Sequence, residues 1–316
     1  MGIDLQYLLF LQNIRLATGG IFDELFNSLS KIAVDLMPFM PYILFWGVNK
    51  QWGYRAIFTY HLGDLLNGTI KLTVCAYRPW IRSEEIVPAG DSKTAATGYS
   101  FPSGHSLSAA TNYGTLYNLT REKRKGIAIL CLILIILTGF SRNYLGVHTP
   151  QDVIVGLAEG ILMLLLVSYL GNKIKGNEKL QDVLTAAGFL LIAAVIIYVT
   201  RKTYPMDYAD GKLLVDPQSM MNDIFKACGA LFGILLGSYI ERHYIRFDVP
   251  THASSLPALT ALGFALMFAW KKYFEPATVI PALGKHWGYF AGRAIMVLFA
   301  IVIWPLVIKK ECCKES

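Results

Sequence analysis

The sequence has few charged residues and few cysteines. Only 16% of its 316 residues are charged, whereas 54% are hydrophobic, and the mean hydropathy is +0.44. This composition excludes an ordinary soluble domain and indicates a protein with several membrane spans. The five cysteines form no CxxC pair, so we predict neither disulfide bonds nor a metal site built from thiols. The first segment lacks a basic start and a small-residue cleavage site, so we expect no cleaved signal peptide.

Apolar segments recur along most of the chain, and they lack the alternation of a membrane β-barrel. We therefore predict an all-α, polytopic membrane helical bundle. Residues 1–31 are expected to form one or two interfacial helices, because Gly19 and Gly20 interrupt them, although this region is also compatible with another span. Residues 32–170 would form a core of spans, and residues 171–316 additional C-terminal transmembrane helices with a short cytosolic tail. The predicted spans are 32–48, 56–75, 105–116, 127–140, 153–170, 184–200, 221–240, 256–270 and 289–308.

The net charge of +7 is distributed over short loops and does not form one basic face. We therefore expect no nucleic acid partner. Basic residues concentrate at 121–125 and 173–179 and in the tail at Lys309 and Lys310, which predicts that these segments face the cytosol. The alternate loops at 78–101, 142–151 and 201–219 would then face outward at a bacterial plasma membrane. The alternative is an endoplasmic reticulum membrane, with these loops in the lumen.

Glycines recur every four residues in two late spans, and this spacing permits close helix contact. We expect these stripes to pack within one chain, and a homodimer interface is the alternative. The two stripes are Gly229, Gly233 and Gly237, and Gly284, Gly288 and Gly292.

A first cluster of charge closes the second predicted span. Lys71 is followed after six residues by Arg78 and then by Pro79, which breaks a helix. The spacing predicts that Lys71 and Arg78 lie two helical turns apart on one face, and Asp64 extends this stripe into the membrane. Taken alone, such a pair is more often a pair of snorkelling charges than an anion site.

A second cluster, residues 99–105, opens the unusually polar third span. Ser103 is placed as a helix N-cap, and the following backbone N–H groups form an anion site that Gly104 allows a ligand to approach. A plain capped helix start with a buried His105 explains the pattern equally well.

A third cluster links the fourth span to the fifth. Arg142 is followed after five residues by His148, and Asp152 comes three residues after that. Thr149 and Pro150 are typical of an N-cap and a first helical position, which gives Asp152 a structural role at the third position. The carboxylate is also placed to orient the His148 imidazole and to stabilise its cationic form.

The span order places all three clusters at the same membrane surface. Three cations and a helix N-terminus would therefore surround two histidines, which is an arrangement suited to holding and attacking a phosphate dianion. The sequence contains no Walker-type glycine loop and no carboxylate cluster suited to magnesium, so we expect no metal and no cofactor.

The three clusters together resemble the complete motif of the type 2 phosphatidic acid phosphatase and vanadium haloperoxidase superfamily. The matching segments are Lys71-x6-Arg78-Pro79, Pro102-Ser103-Gly104-His105 and Ser141-Arg142-x5-His148-x3-Asp152. Agreement at every position, in order and on one side of the membrane, is far more specific than any single motif. The resemblance covers about 32–170.

The resemblance implies a metal-independent membrane phosphatase that hydrolyses a lipid phosphate monoester or pyrophosphate through a phosphohistidine. It implies that His148 is the nucleophile, Asp152 its orienting carboxylate and His105 the general acid and base. The phosphate-binding residues would be Lys71, Arg78, Ser103, Gly104 and Arg142. The expected partners are a phosphorylated lipid substrate and membrane lipids. A lipid phosphotransferase with the same site and a non-catalytic lipid carrier are the alternatives, and peroxidase activity is less favoured because the haloperoxidases resemble soluble proteins.

Overall fold

The computed structural model describes residues 1–250 and 253–312, apart from the side chain of residue 95. Helices dominate it, which confirms the predicted all-α class, and the strands β1 (Tyr208–Ala209) and β2 (Lys212–Leu213) form a small antiparallel hairpin. The helices are α1 (Ile3–Ala17), α2 (Asp23–Lys31), α3 (Met40–Gly47), α4 (Lys50–Val74), α5 (Pro79–Arg82), α6 (Ser92–Ala95), α7 (Gly104–Thr120), α8 (Lys125–Tyr144), α9 (Pro150–Lys173), α10 (Glu178–Arg201), α11 (Pro217–Ile240), α12 (Leu256–Ala269), α13 (Ile280–Leu283), α14 (Lys285–Leu298) and α15 (Trp304–Cys312).

Six helical segments in the described part of the chain are long and apolar enough to cross a membrane: Asp23–Gly47, Lys125–Tyr144, Pro150–Lys173, Glu178–Arg201, Pro217–Ile245 and Lys285–Cys312. They correspond to six of the nine predicted spans, and the first begins at Asp23, within the region expected to hold interfacial helices. The other three predicted spans are helical too, as α4, α7 and α12. Polar residues such as Asp64 and Lys71 make α4 less apolar, and α7 and α12 contain only 17 and 14 residues.

The chain forms two compact units, each assembled from separate stretches of sequence. The motif unit consists of Met1–Pro38, Leu66–Leu165 and Lys202–Met220, and it contains all three charged clusters. The extension unit consists of Phe39–Leu65, Leu166–Arg201 and the residues from Met221 onward.

The extension unit has an aromatic core joined by close helix contacts. Trp46 is fully buried, and its indole N–H donates to the carbonyl of Ala300 at 2.7 Å. A Cβ atom on Gly229 would overlap the backbone of Phe290, so α11 and α14 approach each other at van der Waals distance. A Cβ atom on Gly233 would lie 2.8 Å from the carbonyl oxygen of Ala294. These contacts confirm that the Gly229 stripe packs within the chain.

One local prediction in the first cluster is wrong. Helix α4 ends at Val74, and Cys75 then adopts a left-handed conformation with φ of 54°. Arg78 is extended, with φ of −63° and ψ of 153°, because a residue before proline is disfavoured in the helical region. Lys71 and Arg78 therefore do not lie two turns apart on one helix. The chain changes direction after α4, and this change determines the position of Arg78.

Candidate active site

His148 lies in the short loop between α8 and α9, and only 1% of its surface is exposed. Its backbone N–H donates to the carbonyl of Arg142 at 3.2 Å. Its own carbonyl accepts a hydrogen bond from the side-chain amide of Asn143 at 2.9 Å. The loop is thus fixed on both sides of the histidine. Asn143 was not singled out in the sequence, although it directly follows a motif residue.

The neighbours of the His148 ring define its tautomer. Arg78 Nη1 lies 2.9 Å from Nε2, and a guanidinium nitrogen can only donate, so Nε2 is the accepting nitrogen with the lone pair. The proton then sits on Nδ1, which donates to Asp152 Oδ2 at 3.3 Å. Nε2 therefore carries the ring's lone pair, which accepts the hydrogen bond from Arg78 in this structure.

Asp152 is buried, and its Oδ2 atom accepts two further hydrogen bonds. The hydroxyl of Ser100 donates at 2.6 Å and the backbone N–H of Thr149 at 2.9 Å. The Thr149 contact is the helix-start arrangement predicted from the sequence, since Pro150 is the first residue of α9 and Asp152 the third. Ser100 was not predicted, although it lies within the second cluster.

Backbone carbonyls hold the Arg78 side chain. Nη1 donates to Val147 at 2.9 Å, Nε to Gly98 at 3.1 Å and Nη2 to Thr97 at 3.2 Å. Burial lowers the pKa of Arg78 to about 10, so the guanidinium stays charged at neutral pH.

Lys71, near the end of α4, reaches the segment before α7. Its Nζ atom donates to the carbonyl of Pro102 at 2.6 Å, and the carbonyls of Tyr99 and Ser100 both lie at 3.4 Å. The ammonium group therefore lies beside the second cluster, as the sequence predicts.

Helix α7 begins as predicted, with Ser103 as its N-cap. The Ser103 hydroxyl accepts from the backbone N–H of Ser106 at 3.3 Å, and the Ser103 N–H donates to the carbonyl of Asp152 at 2.9 Å. This second bond joins the start of α7 to the start of α9. Gly104 and His105 are the first two helical residues, and His105 lies within electrostatic range of His148.

Arg142, on the last turn of α8, is 2% exposed. Its Nε atom is buried and has no hydrogen-bond partner among the described residues. Because a buried N–H without an acceptor is costly, this atom is suited to an anionic oxygen.

The electrostatic environment keeps His148 neutral. Burial lowers the pKa of His148 well below its ordinary value, and the nearby charges of Arg78, Lys71 and Arg142 lower it further. A neutral imidazole is required for nucleophilic attack. The structure thus brings together all eight predicted site residues within the motif unit.

Comparison with known proteins gives matches in both units. Residues 52–175 match the model of the PAP2 superfamily, and residues 225–311 match that of the PAP2 superfamily phosphatase, transmembrane extension. No solved structure matches the chain.

Three curated relatives differ in how much of each protein aligns. A lipid phosphate phosphatase delta from Arabidopsis thaliana is 31% identical over 55% of this chain and 42% of its own length. A phosphatidylglycerophosphatase B from Bacillus subtilis is 33% identical over 43% of this chain and 69% of its own length. A glucose-6-phosphatase catalytic subunit 1 from Haplochromis nubilus is 26% identical over 69% of this chain and 71% of its own length.

These relatives and the family models support a hydrolase that releases phosphate. The membrane segments and the match to a transmembrane extension agree with an integral, multi-pass membrane protein. The chain belongs to the PAP2 superfamily, whose model covers the motifs around His148.

Proposed function

We propose that this protein is a metal-independent membrane phosphatase that hydrolyses a phosphate monoester or pyrophosphate of a lipid through a phosphohistidine intermediate. The observation that carries the proposal is the arrangement around His148, in which Asp152 holds the Nδ1 proton and Nε2 keeps its lone pair.

In the proposed first step, the Nε2 lone pair attacks phosphorus and the bond between phosphorus and the leaving oxygen breaks. A phosphate dianion bound among the cations offsets their charge and favours a protonated His105. His105 gives its proton to the leaving oxygen, so a neutral alcohol, or a lipid monophosphate in the case of a pyrophosphate, departs. The imidazole becomes positively charged as the P–N bond forms, and the Asp152 carboxylate stabilises this charge.

In the proposed second step, water attacks the phosphohistidine. His105, now neutral, accepts a proton from the water as the new P–O bond forms. The P–N bond breaks, and its electron pair returns to Nε2. Inorganic phosphate leaves, and both histidines regain their starting protonation states.

The phosphoryl oxygens would be neutralised by Lys71, Arg78 and Arg142, with the Ser103 hydroxyl and the Gly104 N–H as further donors. Arg142 Nε is the best placed of these groups because it is buried without a protein acceptor. Each such contact contributes on the order of 3 kcal/mol to a transition state. Three cations thus supply the charge that a metal would otherwise provide.

A lipid substrate is supported by the membrane segments and by the lipid names of two relatives. We further propose that the site faces outward at a bacterial plasma membrane, as the basic loops at 121–125 and 173–179 predict.

The test is phosphate release by purified protein in detergent, with a chelator present, from a panel of lipid phosphates. We expect wild-type release and near-complete loss in His148→Ala. A matched control is His243→Ala, because His243 lies in the extension unit and pairs with Asp182 at 3.1 Å. Both variants should elute as monodisperse protein.

Substantial turnover in folded His148→Ala would remove this residue as the nucleophile. Release that requires an added metal would overturn the metal-independent proposal. Transfer of phosphate to an added alcohol in place of water would favour the phosphotransferase.

A further inference from the structure

A second buried carboxylate lies next to the phosphate-binding residues. Glu159 on α9 is 6% exposed, and its Oε2 atom accepts a hydrogen bond from Asn67 Nδ2 on α4 at 2.7 Å. Asn67 is itself 3% exposed. Its Oδ1 atom lies 3.5 Å from the position that a Cβ on Gly104 would occupy. The pair therefore borders the start of α7, where the second cluster lies.

The pair lies on the deep side of these residues. Asn67 precedes Lys71 by four residues, about 6 Å along α4, and Glu159 follows Asp152 by seven residues, about 10 Å along α9. In both helices the step leads away from the end that carries the motif.

Glu159 is flanked by one hydrogen-bond donor and one cation. The Asn67 amide donates to its Oε2 atom, and the Lys71 ammonium lies within electrostatic range. Its Oε1 atom has no hydrogen-bond partner among the described residues. An ionised carboxylate here would act in a buried region, where charges interact strongly.

We propose that the group next to the transferred phosphate lies toward Glu159, and that Glu159 is a specificity-determining residue that selects lipid phosphate monoesters against lipid pyrophosphates. This inference rests on the proposed function and narrows its substrate class. In a monoester the group next to the transferred phosphate is an uncharged carbon chain. In a pyrophosphate it is a second phosphate, whose negative charge Glu159 repels.

The alternative is a purely structural role, in which the hydrogen bond to Asn67 joins α4 to α9. Glu159→Gln separates the two roles, because the glutamine oxygen still accepts from Asn67 while the charge is lost. Glu159→Asp keeps the charge. The control is Glu122→Gln, which neutralises an exposed carboxylate between α7 and α8.

The experiment measures kcat/KM for a polyprenyl monophosphate and for the diphosphate with the same hydrocarbon chain. We expect the wild type to prefer the monophosphate. Glu159→Gln should raise the ratio of diphosphate to monophosphate about tenfold or more, whereas Glu159→Asp and Glu122→Gln should leave it near the wild-type value.

Equal loss on both substrates in Glu159→Gln would indicate the structural role and overturn the inference. The same shift in Glu159→Asp would also overturn it, because the charge would not be the cause. If Glu159→Gln does not fold, the test is the ratio of kcat/KM values of the wild type on the two substrates. A preference of the wild type for the diphosphate refutes the inference. Absence of release from both substrates by the wild type would instead refute the proposed function.

Discussion

The motif unit and the extension unit differ in how far their buried and half-buried charges are brought together. In the motif unit, Lys71, Arg78 and Asp152 each have at least three hydrogen-bonding partners, many of them backbone groups. In the extension unit, Glu241 is fully buried and has three hydrogen-bonding or ion-pair partners. Glu275 is 1% exposed, shares none of these partners, and neither of its carboxylate oxygens has a hydrogen bond among the described residues. Its ion-pair partner is Arg293 Nε at 3.3 Å.

The two units also differ in what their close contacts accomplish. In the motif unit, helix caps and backbone carbonyls within residues 75–104 and 142–152 hold the charged side chains near His148. The extension unit uses glycines and aromatic rings to bring helices together, and it has an apolar groove of about 600 Å³ lined by residues such as Phe189 and Trp287. Under the proposed function, the chemistry depends on the first unit, and the second contributes mainly packing.

The largest expected effect is that of Asp152→Asn. The amide oxygen can still accept from Ser100 and Thr149, but the neutral group stabilises neither the required His148 tautomer nor its positive charge. We expect kcat to fall by about 10³ to 10⁴ with little change in thermal stability. Steady-state kinetics and a thermal melt check this together, and a loss below about tenfold would contradict the role given to Asp152.

Arg142→Lys should reduce kcat/KM by roughly 10². Lysine keeps the positive charge but lacks the planar Nε donor that is buried at this position. Arg121→Lys is the control, since Arg121 is exposed after α7. Equal activity of the two variants would show that charge alone suffices.

A substitution in the extension unit should affect stability more than chemistry. In Gly229→Ala the new methyl group overlaps the Phe290 backbone, which we expect to cost about 1–3 kcal/mol of unfolding free energy. Gly126→Ala is the control because a Cβ there meets nothing within 4 Å. The measurement is the thermal midpoint, together with kcat of the folded fraction. A fall in kcat without a fall in the thermal midpoint would show that the extension unit affects the chemistry directly, against the expected difference between the units.

The smallest expected effect concerns pH. Because its pKa is lowered by burial and by three cations, His148 should remain neutral to below pH 6.5, and its protonation should reduce kcat/KM only below that value. Arg78→Gln removes one of these cations, so the pKa should rise and the acidic limb should move to higher pH. The measurement is a full profile of kcat/KM against pH for both proteins. If the acidic limb of the variant lies at the same pH as that of the wild type, a group other than His148 controls it.

Local rules explain what could be predicted from the sequence. Ser103 and Pro150 mark the helix starts because caps and first-turn prolines act over three or four residues. The predicted placement of Lys71 and Arg78 on one helix face is wrong because it assumes that the helix continues through Cys75. The left-handed backbone of Cys75 instead follows the end of α4 at Val74.

Long-range partners explain what could not be predicted. Ser100 contacts a residue 52 positions away and Asn67 one 92 positions away, and no local pattern reports such pairs. Neither pair has a spacing that a motif would reveal. The motif residues can be found in the sequence, whereas the side chains that contact them are found only in the fold.

The bond between the Ser103 N–H and the Asp152 carbonyl has a practical consequence. Every amino acid supplies a backbone carbonyl, so this connection between α7 and α9 does not depend on the side chain at position 152. An inactive variant at position 152 should therefore keep the phosphate-binding residues at the start of α7 in place. Such a protein would serve as a trap, in which an uncleaved lipid could be captured from a membrane extract and identified by mass spectrometry.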